Sequence, residues 1–293
     1  MSPSQANLSV YKSNALIEAS YRLTPSEQRI MLVCIAKVRR DQPITDDVLY
    51  SVSVADYASL VGTESHSTYK EMADAALRLK RREVWLTEQP NGDGDREKTL
   101  ITGWVQSIRY CKAEGRVELR LAKDMLPYLT QLTEQFTRYA LADVAKMNSS
   151  HAMRLYELLC QWRDTGKREV AVKWLRDAFQ LGDKYPLFYE LKRWVILPAV
   201  EQVNEHSPIW VKWDQRKTGR RVSHLVFTFG DKASKKPQTS TSQKRQPKKE
   251  ASPQGALFGI PRAIIEQNAK PGESYDNAAL RLLNESKRKR AST

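Results

Sequence analysis

Residues 186–229 read PLFYELKRWVILPAVEQVNEHSPIWVKWDQRKTGRRVSHLVFTF. Two periodicities meet in this stretch. From Leu187 to His206, the residues Phe188, Leu191, Val195 and Val203 recur at helical spacing, which predicts one long amphipathic helix. Ile209–Gln215 and Arg221–Phe229 then read as strands, on either side of the basic turn Arg216-Lys217-Thr218-Gly219-Arg220. Upstream, Ser149–Asp164 reads as a helix with Met153, Tyr156, Leu159 and Cys160 on one face. Glu169–Val172 follows as a short strand, and Trp174–Leu181 as a short helix stopped at Gly182.

The same order occurs once before. Thr24-Pro25-Ser26-Glu27 supplies a capping residue, a first-turn proline and an acid three positions on, and opens a helix that runs to about Arg39. Leu49–Val54 alternates as a strand, and Val54–Val61 is a short helix stopped at Gly62. Ser65–Arg82 is a third helix, striped by Tyr69, Met72, Ala73, Ala76 and Leu79. Glu83–Glu88 and Lys98–Tyr110 read as strands joined by Pro90-Asn91-Gly92-Asp93-Gly94, a strong turn sequence. Helix, strand, helix, helix, strand, turn, strand is the order of a winged helix. Its recurrence is better evidence than any single element. It predicts an α+β chain of two tandem winged-helix domains, at 24–147 and 148–230. Arg116–Leu121, as a strand, and Ala122–Leu132, as a helix, are expected to extend the first. Residues 1–23 read as an irregular or extended N-terminal segment. Pro198 is expected to kink the long helix beyond its N-terminal half, and Trp194 is assigned to the core.

The net charge of +14 favours an anionic partner. That charge is unevenly spread, because residues 231–293 hold 14 basic and 6 acidic side chains and so carry +8 of it. Charge alone therefore cannot locate a binding surface. Lys232–Ser252 is rich in Lys, Ser, Gln, Thr and Pro, and the stretch 231–293 is expected to be a disordered basic tail. Short helices are expected within 256–283, and Lys287-Arg288-Lys289-Arg290 reads as a solvated run. No apolar run approaches the roughly 18 residues of a membrane span. The first residues lack the apolar middle of a secretory signal. Cys34, Cys111 and Cys160 show no CxxC spacing and read as reduced structural thiols, so a cytoplasmic protein is expected.

A helix entering the major groove needs exposed donors near its N-terminal half. Tyr189, Lys192, Arg193 and Ile196 are assigned to another face of the long helix than the core stripe. Arg216, Lys217, Arg220 and Arg221 place a basic wing beside it, suited to phosphates or the minor groove. In the first module Ser67, Lys70 and Arg78 are candidates for a weaker, secondary contact. The acidic tip at Asn91–Asp95 suits phosphate poorly, and this module reads equally as a protein-interaction surface. No catalytic centre, metal site or cofactor is expected. The stretch from Gly92 to Lys98-Thr99 approaches a phosphate-binding loop, but Glu97 stands where the second glycine belongs. His66, His151, His206 and His224 are scattered, and lack the cluster a strand-nicking enzyme needs beside its tyrosine.

Leu16-Ile17-Glu18, with Leu23-Thr24-Pro25-Ser26-Glu27-Gln28-Arg29, resembles the N-terminal signature of iteron-binding plasmid replication initiators. Tyr185–Asn204 resembles that family's recognition helix, and Lys217–Arg221 with Leu225-Val226-Phe227 resembles its wing and last strand. The likeness is collinear over about residues 8–230. It implies a protein that binds direct repeats in double-stranded DNA at a plasmid origin through both winged helices, the second giving most of the base readout. It also implies melting of adjacent AT-rich DNA and recruitment of a host initiator ATPase and the replicative helicase. Homodimers, formed through the first module, would act as autorepressor or limit copy number. Lys192 and Arg193 match the basic pair of the reading helix, while the third basic position often found next is Trp194 here. In the tail, Gln254, Leu257 and Phe258 resemble the QxxLF peptide that docks on the bacterial sliding clamp. A winged-helix transcriptional repressor without initiator activity satisfies the same residues. An interaction scaffold and a relaxase-like enzyme fit them less well.

Overall fold

The frame of the second winged helix is α6 (Ser150–Cys160), β9 (Lys167–Ala171), α7 (Val172–Ala178), α8 (Phe188–Leu191), α9 (Leu197–His206), β10 (Ile209–Thr218) and β11 (Arg221–Asp231). These labels follow chain order in a computed structural model that describes residues 8–39, 44–62, 68–87, 90, 99–232, 268 and 281–282. Expectations for the turn at 91–94 and for the tail beyond Lys232 fall outside the described residues, apart from isolated positions. The sheet has the order β10-β11-β9, antiparallel throughout. Met153, Tyr156 and Leu159 of α6 are buried, as their spacing requires. Gly166 turns the chain into β9 at φ +64°, and a Cβ there would stand 2.8 Å from the Phe229 carbonyl.

The first winged helix is built from α2 (Pro25–Ala36), β3 (Tyr50–Ser53), α3 (Val54–Val61), α4 (Thr68–Lys80), β4 (Glu83–Leu86), β5 (Leu100–Gly103), β6 (Val105–Cys111) and β7 (Arg116–Leu121). Helix α2 starts where its capping signature puts it. The Glu27 amide donates to Thr24 Oγ1 at 3.3 Å, and the Thr24 amide donates to the Glu27 carboxylate at 2.9 Å. Ser53 and Asp56 cap α3 in the same way, and Gly62 ends it at φ +79°.

The strand pairing departs from the simple hairpin that the sequence suggests. The strand expected over Lys98–Tyr110 is two strands in two sheets. β5 joins β4 in a sheet completed by β2 (Ser20–Tyr21), in the order β2-β4-β5, whereas β6 joins β7 in the sheet β3-β7-β6. Trp104, between them, is buried and meets Tyr21 edge-on at 4.8 Å. The chain changes sheets where this indole enters the core. The helix expected over Ala122–Leu132 is only a 3-10 helix, Lys123–Tyr128, because Pro127 inside it has no amide to donate.

The N-terminal segment is regular. β1 (Ser9–Ser13), α1 (Asn14–Glu18) and β2 (Ser20–Tyr21) bury Val10, Leu16, Ile17 and Tyr21. β1 pairs with β8 (Phe136–Ala140), which leads through α5 (Ala142–Ala145) into the second module. The described residues of the two modules, up to Lys232, share one compact unit. One hydrophobic cluster runs through both, and a buried polar group is set within it. Lys12 and Glu157, both almost fully buried, pair at 2.6 Å, and the hydroxyls of Tyr21 and Tyr139 donate to the same carboxylate. Arg154 lies 3.6 Å from the Tyr21 ring centroid and donates to the carbonyls of Ala19 and Ala178. No helix among the described residues is long and apolar enough to cross a membrane.

Candidate nucleic-acid interface

The long helix of the second module is not uniform. α8 passes into α9 through a π turn at Lys192–Ile196, in which the Leu197 amide donates to the Lys192 carbonyl, five residues back. Pro198 supplies the cause. It has no amide to offer the Trp194 carbonyl, and its ring crowds that carbonyl. The proline thus widens the turn before it instead of kinking the helix after it.

The wide turn decides which side chains face outward. At about 100° per residue, a straight α-helix would hold Lys192 in line with Phe188, Val195, Ile196 and Ala199. Phe188 packs against the core and the other three are buried, yet Lys192 is exposed. The wider turn, bonded five residues back in place of four, swings Lys192 out and lets Val195 and Ile196 both enter the core. Lys192, Arg193 and Trp194 are therefore three exposed residues in a row. Two sequence expectations are corrected here. Trp194 is 55% exposed rather than core, and Ile196 is core rather than outward. Tyr189 is 59% exposed, on the turn before. Lys192 Nζ lies 5.6 Å from the Trp213 ring of β10, and the Arg193 guanidinium lies 4.9 Å from the Trp194 ring.

A loop clasp, not apparent from the sequence, sets the start of this helix. Arg176 of α7 donates to the carbonyls of Gly182, Lys184 and Tyr185 at 2.9, 2.8 and 2.7 Å. Tyr185 takes a left-handed φ of +57° under that clasp. The only sequence signal is an arginine on an otherwise short helix, which does not reveal its partners.

The hairpin of β10 and β11 runs longer than its alternation suggests and turns at Gly219, φ +63°. Its register shifts between Arg216 and Lys217, so Ser223 is the extra residue of a bulge, and its hydroxyl donates to the Arg216 carbonyl at 3.2 Å. Lys217, Arg220 and Arg221 are exposed at the tip. Arg216 differs from them, because its guanidinium is paired with Glu169 of β9.

In the first module Lys70 is exposed on α4, while Ser67 lies outside the described residues. Arg78 is engaged. It donates to Glu27 Oε1 at 3.2 Å, and Arg82 grips both oxygens of that buried carboxylate. Gln254, Leu257 and Phe258 lie outside the described residues. A cleft of about 780 Å³ is lined by residues in and next to β2, β4 and α7, among them Arg22, Arg81, Trp85 and Trp174. Burial pushes the Cys34 and Cys160 thiols up to about 12, so neither is poised as a nucleophile. Among the described residues no group of three or more His, Cys, Asp or Glu side chains is arranged to hold a metal ion.

Two family descriptions match this chain in tandem. "Initiator Replication protein, WH1" covers residues 9–160, and "Initiator Rep protein, WH2" covers residues 171–229. A replication initiation protein of Escherichia coli is 27% identical over 232 residues, spanning 76% of this chain and 69% of its own length. An uncharacterized 27.6 kDa protein of Escherichia coli is 28% identical over 229 residues, spanning 75% of this chain and 94% of its own. The crystal structure of the Pi initiator protein in complex with iteron DNA superposes with a TM-score of 0.64 at 20% identity. That superposition covers 76% of this chain and 97% of the other, and establishes a common fold.

Proposed function

Because this chain belongs to the initiator replication protein family, we propose that it is a plasmid replication initiator that binds directly repeated iterons at an origin. The observation that carries this reading is the outward placement of Lys192 and Arg193 on a helix flanked by the Lys217, Arg220 and Arg221 hairpin tip. A guanidinium on the reading helix fits the paired acceptors of guanine in the major groove. Cations at the hairpin tip fit phosphates, which fix register without reading sequence. Tyr189 belongs to the same surface, and Lys70 with Ser67 adds the secondary contact of the first module. Arg78 and Arg216, held by Glu27 and Glu169, contribute through their remaining donors.

In this proposal bound monomers help open adjacent AT-rich DNA and recruit the host initiator ATPase and replicative helicase. Dimers formed through the first module repress the protein's own gene. The chain acts by binding and carries out no bond chemistry. Gln254, Leu257 and Phe258 serve as a docking peptide for the sliding clamp, and changing Leu257 and Phe258 to Ala is expected to abolish clamp binding in a pull-down; undiminished binding would remove that element.

The central test uses the direct repeats beside the gene, in duplexes of one and several repeats. The protein is expected to shift repeat DNA in preference to scrambled DNA, and to make the adjacent AT-rich strand reactive to permanganate. Specific binding without opening, and without support of plasmid replication, would mark a transcriptional repressor. No preference for repeated DNA at low salt would reject the reading altogether.

A further inference from the structure

Exposed apolar surface is concentrated on the reading helix. Of the eleven large hydrophobic side chains exposed among the described residues, four lie within it or at its start: Leu187, Tyr189, Trp194 and Leu197. Surface residues this apolar and this close together mark a surface that is covered in use. Trp194 and Leu197 are exposed in the π turn and on the residue that follows it. The Arg193 guanidinium, 4.9 Å from the indole, borders the same patch. A cation and an apolar face are thereby offered side by side. The major groove presents one apolar group, the C5-methyl of thymine, and an indole edge can cover it as the side chain beside it meets guanine.

Trp194 takes no part in the core and meets only its neighbour Arg193 among the ring contacts of the described residues. Trp194 stands in the same π turn as Lys192 and Arg193, and the core below is closed by Val195 and Ile196. We infer that Trp194 is a specificity-determining residue that reads the methyl group of a thymine next to the base pair contacted by Arg193. This rests on the proposal that the helix reads DNA, and adds to it which base is read and by what.

The test starts with the full chain and the duplex it selects from a random pool. Each thymine of that duplex is replaced singly by deoxyuridine, which removes the methyl and nothing else. In the wild-type protein one position should lose about fourfold in affinity, the equivalent of one buried methyl-sized group. Trp194→Ala should bind the thymine and uracil forms of that position equally, while Trp194→Phe, which keeps an apolar ring, should retain a thymine preference. Arg193→Ala should keep the thymine preference and lose the adjacent guanine preference. Circular dichroism of each variant checks that the fold is retained. The inference is overturned if no thymine is sensitive in the wild type, or if Trp194→Ala keeps the uracil penalty. It is also overturned if Trp194→Phe loses the preference, or if Arg193→Ala abolishes it. A wild-type protein that selects no sequence at all would overturn the DNA-reading proposal, and this inference with it.

Discussion

Arg193 and Lys217 should fail differently when removed. Arg193→Ala should weaken specific binding about tenfold to a hundredfold and leave nonspecific binding nearly intact, as the proposed base contact requires. Lys217→Ala should weaken binding to every sequence alike and lower the slope of affinity against salt by about one ion. Titrations of specific and scrambled duplexes at several salt concentrations separate the two. His151 makes a different kind of prediction. Its ring stacks on Phe179 at 5.6 Å, and burial, with the charges of Arg22, Arg154 and Lys184, holds its pKa down at about 4 against an ordinary 6.5. Because the folded value lies below the unfolded one, its contribution is complete above pH 6.5 and is lost as pH falls toward 4. The loss between those limits is on the order of 3 kcal/mol. His151→Phe keeps the stack and removes the titration, so urea unfolding of that variant should lose less stability than wild type between pH 7 and pH 4.

At the scale of elements, the π turn is the feature on which the proposed reading surface depends. Pro198→Ala returns an amide to the helix, lets the turn close on the Trp194 carbonyl and turns Lys192 toward the core stripe. The ratio of specific to nonspecific affinity should fall about tenfold or more, as for a lost base contact. An unchanged ratio, with the fold retained, would mean that core packing alone holds the wide turn. The turn into β9 offers a control outside the interface. Gly166→Ala imposes a left-handed φ on a residue with a Cβ, 2.8 Å from a backbone carbonyl that is fixed in β11. It should cost more than about 1 kcal/mol in urea unfolding without touching DNA specificity.

Across the whole molecule, the seam between modules is held by groups that cannot be left single. Glu157 accepts from Lys12, Tyr21 and Tyr139 while almost wholly buried. Arg168 of β9 pairs with Glu18 of α1 at 2.7 Å, and Gln180 reaches the Ser20 carbonyl at 3.1 Å. Glu157→Gln strands the Lys12 ammonium without its counter-charge, which should cost about 3–5 kcal/mol. Adding Lys12→Met to that variant should recover much of the loss in calorimetry, since the stranded charge is then gone. If Glu157→Gln alone is neutral, the ion pair is not what holds the seam.

The winged-helix frame was legible because its signals are local. Thr24 and Glu27 cap α2 within one turn, Gly62 and Gly219 supply left-handed turns that other residues resist, and apolar periodicity marks α4, α6 and α9 over ten residues or more. The basic helix and hairpin of the candidate site were legible for the same reason. Two things were not. β1, α1 and β2 are five residues long or shorter, below the length at which a period declares itself, and they exist because β4 and β8 supply partners. Which cations are available is settled by carboxylates distant in sequence, Glu27 for Arg78 and Glu169 for Arg216. The sequence alone determined that a basic helix and hairpin would stand together. Only the tertiary structure decided which side chains that helix presents, because a proline six residues past Lys192 widens the turn, and the core, by taking Val195 and Ile196, leaves Trp194 outside.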